Sequence, residues 1–178
     1  MVTNIPAGAR IPDDFNAVIE IPAECGSVKY ELDKATSLLK VDRFMQTAMH
    51  YPCNYGFVPS TLAEDGDPVD VLVITPYAVH PGCLIRVRAL GVLKMTDEAG
   101  NDSKILALPV EKTCPQMADI KSLKDLPPIL LDSISHFFEH YKDLEADKWV
   151  KIDGWENRDA AEKEINASIQ RYQQHATN

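Results

Sequence analysis

The pattern of apolar residues predicts a mostly β chain with added helices, an α+β fold built as a small β-barrel with helices packed outside it. Three observations predict it. Short alternating or apolar runs of strand length fill the first two thirds of the chain, bounded by Pro, Gly, Asn and Asp. Helical spacing of apolar residues begins only after Pro127-Pro128. No repeat, low-complexity tract or second-domain signal divides the 178 residues, so one domain over 1–178, long enough to bury a core, is expected.

Each element follows from local chemistry. Residues 1 to 16 read as an irregular arm, broken by Pro6, Gly8, Pro12 and Asp13-Asp14. Val18 to Ile21 is a short strand stopped by Pro22. Ser27 to Asp33 alternates, with Val28, Tyr30 and Leu32 on one face and Lys29, Glu31 and Asp33 on the other. Leu38 to Phe44 is a further strand, joined to it as a hairpin through Lys34-Ala35-Thr36-Ser37. Tyr51 to Pro59, rich in aromatic and turn residues, reads as a loop. Val69 to Thr75 reads as a strand buried on both faces. Cys83 to Met95 is a long β stretch, Thr96 to Asp102 a turn, and Lys104 to Val110 the return strand. Lys121 to Pro128 is linker-like. A helix then begins, with Leu130, Ile134, Phe137 and Tyr141 as its apolar stripe and Leu131 and Phe138 widening it. A short strand, Trp149 to Ile152, precedes a last helix capped near Asn157, with Ala161, Ile165, Ile169 and Tyr172 facing inward.

Composition narrows the function. Hydrophobic residues make up 45% of the chain and charged ones 25%, ordinary for a water-soluble domain. The net charge of −9 opposes a nucleic-acid partner, whose electrostatic footprint is basic. Cys25, Cys53, Cys83 and Cys114 are far apart and form no CxxC pair, which favours free thiols in a reducing compartment over a disulfide framework. The N-terminus has neither a basic nor an apolar leader region, and no apolar run approaches the roughly 18 residues needed to span a bilayer. A cytoplasmic protein without a membrane partner is expected.

The chemistry concentrates in Asp65-Gly66-Asp67-Pro68-Val69-Asp70-Val71. Gly66 permits backbone angles closed to other residues, and Pro68 fixes its own φ and biases Asp67 towards an extended shape, giving a tight loop that enters a strand. Three carboxylates this close repel one another unless solvated or neutralised by cations. All-oxygen ligation on a constrained loop suits a hard divalent ion, Mg²⁺ or Mn²⁺ before Zn²⁺. A lone DxD more often marks a solvated acidic turn; the third Asp and a matching set elsewhere favour the metal reading. That set includes Asp97 and Asp102, which bracket a turn, with Lys104 two residues on. Lys29 and Glu31 share a strand face, and Arg43 has the parity of Leu39 and Val41, a place that suits a guanidinium pointing into a pocket. Tyr51 and Tyr55 offer packing or hydroxyl donors, and Tyr141-Lys142 ends a helix.

Other readings of the acidic loop fit less well. Counted from Asp65, an EF-hand would need oxygen ligands where Val69 and Pro76 stand. An aspartate-nucleophile phosphatase would want an apolar strand before the first Asp, where Ser60-Thr61-Leu62-Ala63-Glu64 is found. A nucleic-acid-binding OB domain would want a basic groove, and no GxxxxGK phosphate loop is present. A non-catalytic OB-type module binding divalent cations remains the alternative to an enzyme.

Taken with EIP at Glu20 to Pro22, KYE at Lys29 to Glu31, DRF at Asp42 to Phe44, YPCNYG at Tyr51 to Gly56, KMTDEAGND at Lys94 to Asp102 and HFFEHYKDLE at His136 to Glu145, the DGDPVDV run closely resembles the soluble family I inorganic pyrophosphatases of bacterial type. The resemblance spans nearly the whole chain from about Ile5. It implies an OB-like five-stranded barrel, an assembly of two trimers into a homohexamer, and Mg²⁺-dependent hydrolysis of pyrophosphate, with several ions per site and Mn²⁺ as a possible substitute. By the matching motifs, Asp65, Asp70 and Asp102 resemble metal ligands, Asp67 and Asp97 complete the cage, and Glu20 and Glu31 stand at its edge. Lys29, Arg43, Tyr55, Lys104, Tyr141 and Lys142 match the positions that grip the phosphates. Asp67 is the expected general base, with Glu20 and Tyr55 beside it in the catalytic set.

His136 and His140, four apart beside Phe137 and Phe138, lack a third metal ligand by spacing and are read as part of a subunit contact, because exposed aromatics on a helix mark association. Protonating them is expected to weaken the oligomer.

Overall fold

The chain alternates strands and helices in the order β1 (Phe15–Ile21), β2 (Val28–Leu32), β3 (Leu39–Phe44), β4 (Asn54–Phe57), β5 (Asp70–Val73), β6 (Leu84–Asp97), β7 (Gly100–Asn101), β8 (Lys104–Pro109), α1 (Pro128–His140), β9 (Val150–Asn157) and α2 (Arg158–Ala176). This is a computed structural model and describes residues 5–33 and 35–176. Met1–Asn4 of the expected arm and Lys34 of the expected hairpin turn lie outside the described residues.

β1 pairs with β4, β4 with β5, β5 with β8, β8 with β6, and β6 again with β1, so five strands close into an OB-like ring. Among these pairings of the described residues, only β5–β8 is parallel, with Asp70 level with Lys104. β7 and β9 extend β6 beyond the ring, while β2 and β3 form a separate two-stranded ribbon.

Alternation sorts the side chains into two cores. Val71 and Val73 of β5 and Ile105 and Ala107 of β8 join a Val/Ala-rich cluster with Ala161 and Ile165 of α2. Leu72, Leu106 and Leu108 point the other way, into a cluster with Ile134, Phe137 and Phe138 of α1. Burial on both faces explains the unbroken apolar runs in these strands. The Tyr51 ring packs against Phe137 within the α1 cluster, centroids 4.8 Å apart and planes tilted by 49°.

A bulge sets the site. Ile19 opposes Gly56 and Ile21 opposes Tyr55, so Glu20 is the extra residue on β1. Ile19 and Ile21 would otherwise share a face, yet they enter different cores. Gly56 is required at this crossing: a Cβ there would lie 1.9 Å from the Val18 carbonyl oxygen.

Several sequence expectations shift. β4 lies inside the stretch expected to be a loop, because Pro52, Gly56 and Pro59 hide a four-residue strand. β9 runs on to Asn157, past Ile152, with Gly154 at φ 128° accommodating an irregular register against β6. The arm becomes strand two residues before its expected end, at Phe15, whose side chain is buried. The turn after β6 is tighter than expected, since Thr96 and Asp97 still pair with Asn101 and Gly100. The cap of α2 is as expected, Asn157 Oδ1 accepting from the Ala160 N–H at 3.1 Å. No helix among the described residues is long and apolar enough to cross a membrane.

Candidate functional site

At one end of the ring, a cleft of about 240 Å³ is lined by Glu20, Lys29, Glu31, Arg43, Tyr55, Asp65, Asp67, Asp70, Asp97, Asp102, Lys104, Tyr141 and Lys142, every residue expected to bind metal, grip phosphate or catalyse; Tyr51, also singled out, packs in the core instead. Leu32, Phe57 and Pro68 complete its wall. The topology explains the convergence. β5 and β8 start side by side and bring Asp70 to Lys104. β6 ends at Asp97, and the hairpin through β7 returns the chain to Asp102. The bulge turns Glu20 inward, the ribbon supplies Lys29, Glu31 and Arg43, and the end of α1 supplies Tyr141 and Lys142. Gly66 takes φ 92°, as expected of the tight turn, and the Asp67 N–H donates to Asp65 Oδ1 at 3.0 Å within that loop.

Lys104 lies at the centre, 3% exposed. Its ammonium donates to Asp102 Oδ1 at 2.5 Å and also to Asp70 Oδ2. Burial alone would lower its pKa, but Asp70 and Asp102 reverse the effect and hold it firmly charged. Burial pushes the Asp70 carboxyl up; Lys104 opposes that and the like charge of Asp102 adds to it. Lys142 Nζ donates to Asp97 Oδ2 at 2.7 Å, and Lys29 Nζ to Glu31 Oε1 at 2.7 Å. The Tyr55 and Tyr141 hydroxyls keep their protons, because burial raises both pKa values.

Seven carboxylates thus face four cationic side chains, a formal surplus of three negative charges. Partial burial, with the like charges of Asp102 and Asp67, also raises the Asp65 carboxyl above its ordinary value, against a hydrogen bond from the Asp67 N–H. Among the described residues, no three carboxylate, thiolate or imidazole groups close around a single point; ammonium groups stand between them instead. The donor set is nonetheless all oxygen, carried on two loops and in excess over the local cations, which fits hard divalent ions. Asp65, Asp67, Asp70, Asp97, Asp102 and Glu31 are the groups that could hold them.

Glu20 has the clearest pH signature. Burial, with the like charges of Asp70 and Glu31, raises its pKa from 4.5 to about 7, despite a 2.6 Å bond from the Leu32 N–H. Below pH 4.5 folded and unfolded chains both hold this proton. Between those values only the folded chain does, so stability falls as pH rises and the full cost, about 3 kcal/mol, applies above 7. In chelator, Glu20→Gln is expected to unfold at higher denaturant than the parent at pH 8 and at the same denaturant near pH 4. A pH-independent gap would refute this assignment.

The sequence reading missed the carboxylates behind the cleft. Arg43 is held by Asp42 at 3.1 Å and by Glu145 at 3.3 Å, and Lys142 stands 3.5 Å from Glu98. Asp42 adjoins Arg43 and was within reach of inspection; Glu145 closes a recognised motif, but it lies 102 residues from Arg43 and nothing local marked the pairing.

Comparison with known proteins bears on the same cleft. A family model described as inorganic pyrophosphatase matches residues 17–173. The inorganic pyrophosphatase of Escherichia coli K12 is 58% identical over 168 residues, covering 94% of this chain and 96% of that one. That of Pseudomonas aeruginosa is 56% identical, covering 96% and 98%. Among solved structures, the Coxiella burnetii inorganic pyrophosphatase superposes with a TM-score of 0.92 at 64% identity, covering 94% of this chain and 99% of that one. The Thermus thermophilus enzyme gives 0.91 at 43% identity, covering 97% and 98%. With an α+β ring shared at this level and a match over most of its length, the chain belongs to the inorganic pyrophosphatase family.

Proposed function

We propose that the cleft hydrolyses inorganic pyrophosphate to two orthophosphates, the inorganic diphosphatase reaction (EC 3.6.1.1), with several Mg²⁺ ions per site and Mn²⁺ as a substitute. The observation that carries the reading is the meeting of the 65–70 and 97–102 acidic loops in a single cleft with Lys, Arg and Tyr donors. Divalent ions, when bound there, neutralise the charge of a polyanionic substrate and make water a better nucleophile at neutral pH. Asp67, exposed at the rim, accepts the proton of the attacking water. Lys29, Arg43, Lys104 and Lys142 hold the phosphate oxygens, and the protonated Tyr55 and Tyr141 hydroxyls donate to them. Glu20 stands beside them in the catalytic set. Lys104 and Lys142 are already fixed by carboxylates, so they meet the charge developing on the leaving phosphate with little rearrangement.

The test is phosphate release from pyrophosphate, with ATP for comparison, in Mg²⁺ and in chelator. Release from pyrophosphate in Mg²⁺ alone supports the reading; none in either condition leaves the non-catalytic cation-binding module.

We read residues 1–178 as one domain acting on a small molecule, without nucleic acid or membrane, in the cytoplasm, where four free cysteines would stay reduced. The assembly we propose is a homohexamer of two trimers. Phe137 and Phe138 are buried in the core, so the subunit contact falls to His136 and His140, whose rings lie 4.5 Å apart, and to exposed Ile129 on the same helix. Replacing both imidazoles at this contact, His136→Ala with His140→Ala, should therefore give smaller species than the parent by sedimentation. Identical species would remove the His pair from the contact.

A further inference from the structure

We propose that Arg171, on the last turns of α2 and outside the cleft, is a positioning residue for the acidic loop; this rests on the metal-dependent reading above. Leu62, three residues before Asp65, is held by α2 at both of its backbone polar atoms. Its N–H donates to the Ser168 carbonyl at 3.0 Å, and its own carbonyl accepts from Arg171 Nε at 2.8 Å. The guanidinium is fixed in turn by Ser168 Oγ at 2.7 Å and by Glu164 Oε1 at 3.5 Å.

From Leu62 a short relay reaches the chemistry. The Ala63 N–H donates across the loop to the Asp67 carbonyl at 2.7 Å, and the Asp67 N–H donates to Asp65 Oδ1 at 3.0 Å. At the neck, Thr61 Oγ1 donates to the Val58 carbonyl at 2.5 Å and accepts from the Val69 N–H at 3.0 Å. The loop's shape is therefore set by its own hydrogen bonds. Its placement against the ring is set at Leu62 by α2, with one exposed side-chain tie beside it, Asn101 Nδ2 of the hairpin donating to Glu64 Oε2 at 3.0 Å. Asp70 and Asp102 belong to the ring and its hairpin, whereas Asp65 and Asp67 ride on this loop. Releasing Leu62 lets one half of the acidic set drift from the other.

Arginine suits the position because its planar fork reaches a carbonyl through Nε and both a hydroxyl and a carboxylate through Nη2; an ammonium can keep the charge but not that geometry. The signal was invisible in sequence, since Arg171 and Leu62 are 109 residues apart.

The test compares the full chain with Arg171→Leu and Arg171→Lys by three readouts: amide hydrogen exchange of residues 63–67, Mn²⁺ binding by calorimetry without substrate, and steady-state kinetics. Arg171→Leu should speed exchange in the loop and not in β5 or β8. It should weaken Mn²⁺ binding by about five-fold, less than the roughly ten-fold or more lost when a group bonded directly to a ligand is removed. It should also raise the metal concentration for half-maximal activity while kcat at saturating metal stays near that of the parent, and Arg171→Lys should recover part of each effect. Unchanged loop exchange would overturn the clamp. Faster loop exchange with unaltered Mn²⁺ binding would overturn its positioning role. Faster exchange throughout the protein would show a merely structural residue. A parent chain that binds no Mn²⁺ would overturn the metal reading instead, and the clamp would then stand or fall on exchange.

Discussion

Asp67→Asn is expected to lower turnover by roughly a hundred- to ten-thousand-fold, the usual worth of a positioned general base. The backbone that presents the side chain should survive the change. The Asp67 N–H to Asp65 bond and the Ala63 N–H to Asp67 carbonyl bond involve none of the substituted atoms. Asn keeps an oxygen for a cation but loses the basicity that accepts a proton, so metal binding measured by calorimetry should change little. The side chain is exposed, and the unfolding midpoint should stay near that of the parent. Turnover equal to the parent's would remove Asp67 from the base role, and loss of turnover in parallel with loss of metal binding would make it a ligand only.

Lys104→Met should damage both stability and catalysis. The ammonium is the buried counter-charge that lets Asp70 and Asp102 face one another. Removing one partner from a buried ionic cluster leaves uncompensated charge, which costs about 3–5 kcal/mol. Turnover should fall by roughly a hundred-fold or more, since a preorganised donor to the developing charge is lost. The two effects separate in Mg²⁺: a divalent ion can take up the freed carboxylates, so denaturant unfolding should recover part of the lost stability in Mg²⁺ and not in chelator, while turnover stays low. Equal stability of variant and parent in chelator would contradict the central placement of Lys104.

Much of this was legible in the sequence for a physical reason. Period-two patterns made β2 and the long β6 readable as strands, and the apolar run of β5 announced a strand covered on both sides. The cleft residues were legible because carboxylates crowded near Gly and Pro are costly without a cation, and because the motifs matched a family in order. What escaped were features that depend on distant partners. β4 is punctuated like a loop because Gly56 must lie against the Val18 carbonyl, a requirement visible only once β1 crosses it. The bulge at Glu20 is a property of two strands together. Glu145 and Arg171 act on residues roughly a hundred positions away, and nothing in their own neighbourhoods names those partners.

Among the described residues the β2–β3 ribbon shares no ladder with the large sheet, yet it carries three groups, Lys29, Glu31 and Arg43, that line the cleft. Its ties include the Glu20 bond to Leu32 and the Glu145 bond to Arg43. Such a ribbon can rock as a jaw at the expense of a few side-chain contacts, without tearing any strand from the ring. The site is thereby divided between an anvil, the ring with Asp70 and its hairpin with Asp102, and a separately tethered grip formed by the ribbon.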